Sequence, residues 1–389
     1  MSEGSASLLP DELRSAIVFS FTLDAGSGAV GLEIARALVR SRAQLNYPEV
    51  SAHLARERQH AGSGSLAGHE WSAALPLLKE IGRRRQQLEA ERGAVSLRIP
   101  SQQVERWAMA AGSYRLAFET SSEIEDCNAQ ISLLTGMGAA RMMIEHGAGL
   151  LRSLMPPRPD RVQALRLTAK ALSVNWLVQW GYDDFVRSLD PHNPLHAVML
   201  HQAARVNGGA RYLAFNGELP PHAEHAAIGA FYAHTTAPLR RLADRYVLDL
   251  LLVLSTGEKP EEDLLRTLAD LPQVMARADH QSKQLESALV DYFEARMMEG
   301  RIGEVFNAVV IALRSDGIVV QIANPPIRTL LPASVFATTA ETVKPQPIIP
   351  SDDGAMVTIG TAHIKLGQSL ALLLKAADPE RRLLTFTTA

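Results

Sequence analysis

Two textures of apolar and polar positions divide the chain. Residues 16–23, AIVFSFTL, read as a strand, and DAGSG after them has the residues of a tight turn. Residues 30–40 return with Val30, Leu32 and Ile34 on alternate positions, the spacing of the second strand of a hairpin. Residues 47–58 and 71–91 read as helices separated by the Gly/Ser-rich HAGSGSLAGHE, and the second closes on the charged end RRRQQLEAERG. Most of 101–255 reads as helical segments broken at MPPRPD, LDPHNP and NGELPPH, and 260–298 as two more helices. Beyond EGRIGE come VFNAVVIAL, GIVVQIA, RTLLPASV, AMVTIG and LALLLKAA, short β-rich runs with turns between them. Five such runs predict a small β-barrel over 298–389, behind a mixed body over 1–297. The expected class is α+β, without internal repeats.

Composition narrows the picture. The 389 residues are 47% hydrophobic and 21% charged, enough for large cores and too apolar for a disordered chain. A formal charge of −3 confines any polyanion site to a channel or patch. One cysteine, Cys127, excludes an internal disulfide framework and a Cys-rich zinc module, and favours a reducing, cytoplasmic setting. The N-terminus has early acids and no apolar stretch, so it does not read as a signal peptide. The longest apolar run, YVLDLLLVLSTG, is too short to span a bilayer and holds Asp249, so no membrane partner is expected.

Several motifs carry less than their form suggests. GSGAVG, Gly26 to Gly31, fits a dinucleotide-binding fingerprint, but period-two alternation follows it where that fold needs a helix. His192, His196, His201, His222 and His225 lack the carboxylate of a metalloprotease pattern and read as surface or core histidines. Asp183–Asp184 and Asp352–Asp353 read as a helix start or a turn.

The segment FYAHTTAPLRRLADRYV, residues 231–247, concentrates chemistry. Pro238 can open a helix, which would put Arg240, Arg241 and Asp244 in a first turn with Thr235 or Thr236 as its cap. Hydroxyls and arginines around a helix start suit a phosphate. An ordinary capped helix with solvated arginines has the same spelling.

That segment resembles the signature of the RNase II/RNase R (RNB) exoribonucleases, close to Y-x-H-x-T-S-P-I-R-R-Y-x-D. It stands here as Tyr232, His234, Thr236, Ala237, Pro238, Leu239, Arg240, Arg241, Leu242 and Asp244, with Ala237 for the usual serine and Leu242 for the usual tyrosine. SEGSASLLPDELRSAIVFSFTLDA, RSRAQLNYPEV and CNAQISLLTGMGAARMM resemble further family segments in the same order, the last of them an actinobacterial and deinococcal branch. GRIGEVFNAVV, GIVVQI and IKLGQSLALLLKAADPERRLLTF resemble the S1 domain, an RNA-binding OB-fold. The resemblance covers essentially the whole chain.

It implies an RNB domain over 1–297 followed by an S1 barrel over 298–389. It also implies 3′→5′ hydrolysis of single-stranded RNA to nucleoside monophosphates by a monomer using Mg2+. Arg240 matches the arginine that faces the scissile phosphate, and Glu286 the acid that orients RNA or water. Tyr47 matches a ring bordering the terminal nucleotides, while His234, Thr236 and Arg241 would line the phosphate path. Tyr114 or Phe118 would be a further clamp ring. The family's metal-holding aspartates lie in a segment like T-I-D-x-x-x-x-x-D-x-D-D-A, which the resemblance places before Met1. In FTLDAGSG only Asp24 is acidic, so the expectation is a chain cut from an internal methionine with no metal ligands of its own. The alternative is a non-catalytic RNA-binding protein on the same fold.

Overall fold

The computed structural model describes residues 4, 6–58, 66, 68–95, 101–106, 114–119, 121–191, 193–206, 208–322, 324–325, 327–336, 347–351 and 354–389. The chain forms two compact units. The first holds residues 1–95, 121–156 and 209–278, the second 96–120, 157–208 and 279–389.

The first unit opens with the expected hairpin, β1 (Leu13–Leu23) and β2 (Ala29–Arg40), paired antiparallel with Phe19 opposite Ile34. Asp24 makes the turn, its carboxylate accepting from the backbone N–H groups of Gly26 and Gly28 at 2.9 and 2.8 Å. The Gly26–Gly31 motif is therefore a hairpin turn that runs into β2. Helices α1 (Tyr47–Arg58) and α2 (Ala74–Glu91) follow. α3 (Glu123–Glu145) starts on a reciprocal cap between Ser122 and Glu125. A two-stranded ladder of β5 (Ala148–Ser153) and β6 (Arg211–Asn216) and the helix α7 (Leu242–Ser255) complete the unit's framework. Its main core gathers Ile34, Met143, Leu150, Leu151, Val247, Leu250 and Leu251, with Phe19 and Leu32 packed against it. A smaller cluster joins Val50, Leu54, Leu75, Ile124 and Cys127, binding α1, α2 and α3 together.

The second unit contains the antiparallel pair β3 (Ser101–Arg106) and β4 (Tyr114–Glu119). Helices α4 (Pro159–Ala171), α5 (Tyr182–Ser188) and α6 (Pro194–Val206) come next. Helix α8 (Glu262–Met298) begins in the first unit and ends in the second. The barrel region has β7 (Val305–Leu313), β8 (Gly317–Ile322), β9 (Ile327–Pro332), β10 (Ile348–Pro350), β11 (Met356–Ile359), β12 (Ala362–Lys365), β13 (Ser369–Asp378) and β14 (Leu383–Thr388). Five of them form one antiparallel sheet in the order β14-β13-β7-β8-β9, and β10-β11-β12 form a second. Phe306, Val310, Ile318, Val320, Leu372, Leu374 and Phe386 fill the nearly closed sheet, and Val357, Ile359 and Ile364 of the smaller sheet join the same core.

Two expectations are corrected. The span 101–255 is not helical throughout: it holds the four strands β3 to β6. β5 is buried at almost every position and so lacks the alternation that marks a half-exposed strand. Residues 262–298 form one helix and not two, with Pro272 inside it. Leu268, Leu271 and Met275 flank that proline and all reach the first unit's core, so packing carries the helix past the lost hydrogen bond. The expected five-stranded barrel sheet is present, and among the described residues the strands beyond the five runs read are β10 and β12, only three and four residues long, and β14. Asp183 and Asp184 do start a helix, both bonded to Arg187. His192, Asp352 and Asp353, and the side chains of Tyr114 and Phe118, lie outside the described part of the structure.

Candidate functional site

The 231–247 segment is fixed in the first unit by backbone pairing. The Ala233 N–H donates to the Gly136 carbonyl of α3 at 3.1 Å, and the Arg152 N–H of β5 donates to the Tyr232 carbonyl at 2.7 Å. Gly136 is what permits this: a side chain there would collide with the Tyr232 ring and the Ala233 carbonyl. The loop ahead of it is tied to the end of β5, where the Ser153 hydroxyl donates to the His222 carbonyl at 2.6 Å and the Leu154 N–H to the Glu224 carbonyl at 3.2 Å.

The helix start differs from the expected one. α7 begins at Leu242 with Arg241 as its N-cap, so Arg240 and Arg241 precede the first turn, and no side chain caps the helix from outside. The reason is Asp244. Its fully buried carboxylate accepts from the Ala237 N–H at 2.8 Å and takes both Nε and Nη2 of Arg241, at 2.9 and 2.8 Å. An acid in the first turn of the helix thus holds the Pro238 turn closed, while the helix start itself carries no side-chain cap. That pairing outweighs burial and keeps the Arg241 pKa above its ordinary range. The Arg245 Nε–H adds a bond to the Pro238 carbonyl at 2.7 Å. Thr235 is buried and its Oγ1 has no hydrogen-bond partner among the described residues, while Thr236 and Arg240 are exposed.

Behind this turn sits an aromatic and histidine cluster that sequence reasoning did not find. The Tyr212 hydroxyl of β6 lies 2.7 Å from His234 Nδ1, and the Arg152 guanidinium lies 4.5 Å above the Tyr212 ring. Tyr232 stands edge-on to both His234 and His225, with ring centres 5.5 and 6.1 Å away. The short apolar run YLAF of β6, between Arg211 and Asn216, was the available signal for Tyr212. Burial, then the Arg241 and Arg152 charges, lower the His234 pKa from 6.5 to about 4. Burial and Arg152 do the same to His225. Both rings are neutral at pH 7.

The direction of a pH effect follows. In the unfolded chain these histidines take up protons below their ordinary 6.5, whereas the folded chain refuses them until about 4. Stability is expected to fall as the pH drops through that window and to level off below it. Equilibrium urea unfolding at several pH values checks this: in His234→Phe the slope should be shallower, and an unchanged slope contradicts the assignment.

Other matched residues take separate places. Tyr47 opens α1, is 38% exposed, and its hydroxyl accepts from Asn128 Nδ2 of α3 at 3.2 Å. Glu286 is exposed on the part of α8 that belongs to the second unit. His196 Nδ1 accepts from the Asp190 N–H at 3.0 Å. His201 Nε2 accepts from Arg328 Nη2 at 3.0 Å, a bond that needs the neutral ring; burial and that guanidinium lower its pKa to about 4. Among the described residues, no group of three or more His, Cys, Asp or Glu side chains could hold a metal ion. The described residues therefore do not fit a Mg2+ site. Among them, no helix is long and apolar enough to cross a membrane.

Residues 1–256 match the family model of the RNB domain. Ribonuclease R of Aquifex aeolicus (strain VF5) is 23% identical over 395 residues, covering 98% of this chain and 53% of that protein. The chain thus spans about half the length of the curated relative it matches. Among solved structures, Mycoplasma genitalium RNase R in complex with ribose-methylated single-stranded RNA superimposes with a TM-score of 0.80 at 17% identity, covering 98% of this chain and 59% of that one. Yeast Ssd1, described as a pseudonuclease, gives 0.59 at 15% identity, covering 84% and 40%. The fold is that of an RNB domain followed by an OB-like barrel. Since the family model matches well over half of its length, the chain belongs to the RNB domain family.

Proposed function

We propose that this chain serves the 3′→5′ degradation of single-stranded RNA, and that the residues described here hold the RNA backbone and not the metal. The observation that carries this is the turn at 237–241. Asp244 neutralises Arg241 and braces the turn, so Arg240 next to it keeps its charge for a phosphate. Arg241 and His234 support the turn from behind, and Thr236 lines its exposed side. Tyr47 offers a ring for stacking on a base, a sequence-tolerant contact of about 1–3 kcal/mol. Glu286 orients RNA or water near the scissile bond. Residues 1–297 act as the RNB domain and 298–389 as an S1-type RNA-binding barrel, in a cytoplasmic monomer. Mg2+ would be the cofactor, on carboxylates that the described residues do not supply.

A second reading, RNA binding without cleavage, is favoured by one observation: the described carboxylates form no metal cage. A pseudonuclease among the proteins that share the fold makes that reading concrete.

Fluorescence anisotropy with a labelled oligo-RNA tests the binding half. Arg240→Ala is expected to weaken affinity about tenfold and to lower the salt slope by about one. Arg240→Lys should retain the slope, since it keeps the charge. Wild-type affinity and slope in Arg240→Ala would sink the assignment.

A further inference from the structure

Arg85, Glu89 and Arg92 are spaced by four and three residues along α2 and its C-cap, so they share one face. That face lies against Gln130 of α3 and the β1–β2 turn. Arg85 is 3% exposed, Gln130 4% and Ser27 4%. The partners present are few. Arg85 Nη1 donates to the Ser27 carbonyl at 2.9 Å, and Gln130 Nε2 donates to Glu89 Oε2. Arg85 Nε, Arg92 Nε, Arg92 Nη2 and Gln130 Oε1 are closed to solvent and have no hydrogen-bond partner among the described residues.

The charges do not balance. Two guanidinium groups face one carboxylate, and burial followed by the nearby Arg92 charge lowers the Arg85 pKa. Arginine does not give up its proton in a protein, so the imbalance must be met by a counter-charge. Three unpaired N–H groups ask for an anion with several acceptor oxygens. The Gln130 oxygen asks for a donor, and its orientation is set because its amide NH2 already serves Glu89. Hydrogen phosphate has both kinds of group, whereas sulfate has no hydroxyl to give.

We propose that the α2 face formed by Arg85 and Arg92, with Gln130 opposite, binds a single small oxyanion of the phosphate class. The donors are closed to solvent, which favours a free ion over a phosphate within a polymer. Arg92 is only half-buried, at the helix C-cap, and its side chain is the one that moves to admit the ion. The site shares no residue with the 231–247 segment, so the inference does not rest on the RNA reading.

Calorimetric titration of the whole chain with inorganic phosphate, at pH 7 and constant ionic strength in chloride, tests it. One saturable site is expected, with sulfate several-fold weaker. Arg92→Met should weaken binding about tenfold or more, the loss expected for a charge-assisted hydrogen bond. Arg240→Ala should bind phosphate as the wild type does. Should Arg92→Met fail to fold, Gln130→Leu takes its place and should erase the preference for phosphate over sulfate. Absence of saturable binding overturns the proposal. So does binding that is lost in Arg240→Ala and kept in Arg92→Met, or sulfate binding as tight as phosphate. Adenosine 5′-monophosphate competing with equal affinity would overturn the free-ion assignment.

Discussion

Incubated with a 3′-labelled oligo-RNA and Mg2+, the purified 389-residue chain is expected to bind the RNA and to release no labelled mononucleotide at an enzymatic rate. Metal-assisted phosphodiester hydrolysis needs carboxylates that hold the ions, generate the nucleophile and neutralise the transition state. Mg2+ demands near-octahedral oxygen ligation, which a single carboxylate does not supply. The described residues bring no three candidate ligands together, and the Asp24 carboxylate is occupied by the hairpin turn. Each metal contribution is worth several kcal/mol, and ~1.4 kcal/mol is a factor of ten in rate, so the deficit is many decades. The binding proposed for Arg240 and the barrel would not depend on the metal, and its affinity should fall steeply between two salt concentrations. Mg2+-dependent release at roughly 1 s−1 would show that carboxylates outside the described residues complete a cage. No binding at low salt would remove the RNA reading itself.

Local signals carried much of the fold into the sequence. The β1–β2 hairpin was legible because alternation and turn chemistry are local, and Asp24 with Gly26 and Gly28 forms the turn their order suggested. The barrel's long strands, β7 and β13, could be read for the same reason. What stayed hidden depends on distant partners. β5 pairs with β6, some sixty residues later, and is buried on both faces, so neither periodicity nor a neighbouring turn announces it. Pro272 carries a strong local message, a break, that tertiary packing of Leu268, Leu271 and Met275 overrides. RRRQQLEAERG reads as a charged helix end, yet α3 and the hairpin turn bury Arg85 within it.

The same division applies to the candidate site. Arg240, Arg241 and Asp244 were visible as a cluster because they fall within one short segment. How they are arranged was not, since sequence preference puts a capping hydroxyl before the helix, whereas the helix start has no side-chain cap and Asp244 instead holds the preceding turn through the Ala237 N–H and Arg241. Tyr212 and Arg152 come from β6 and β5 and meet His234 only when those strands pair. Nothing in the spacing of residues 152, 212 and 234 encodes that meeting.

Asp244→Ala is expected to be the most damaging single substitution in the segment. The Asp244 side chain is 0% exposed and that of Arg241 22%, so the pair is largely withdrawn from water. Removing one partner of a buried ion pair costs about 3–5 kcal/mol, because the remaining charge loses its compensation. The Ala237 N–H also loses its acceptor, at about 1–3 kcal/mol where it stays unsolvated. Against a typical stability of roughly 5–15 kcal/mol, this is a large fraction, and the unfolding transition of the first unit should fall by about 10 °C. Differential scanning calorimetry measures that shift. Affinity for RNA should fall with it even at temperatures where the variant is folded, since the turn that presents Arg240 is no longer braced. The companion variant separates pairing from packing: Asp244→Leu combined with Arg241→Met removes both charges and should recover much of the lost stability while leaving RNA binding weak. A melting temperature for Asp244→Ala within a degree or two of the wild type would mean that the turn is held by Pro238 and Arg245 alone, and that Asp244 is not its brace.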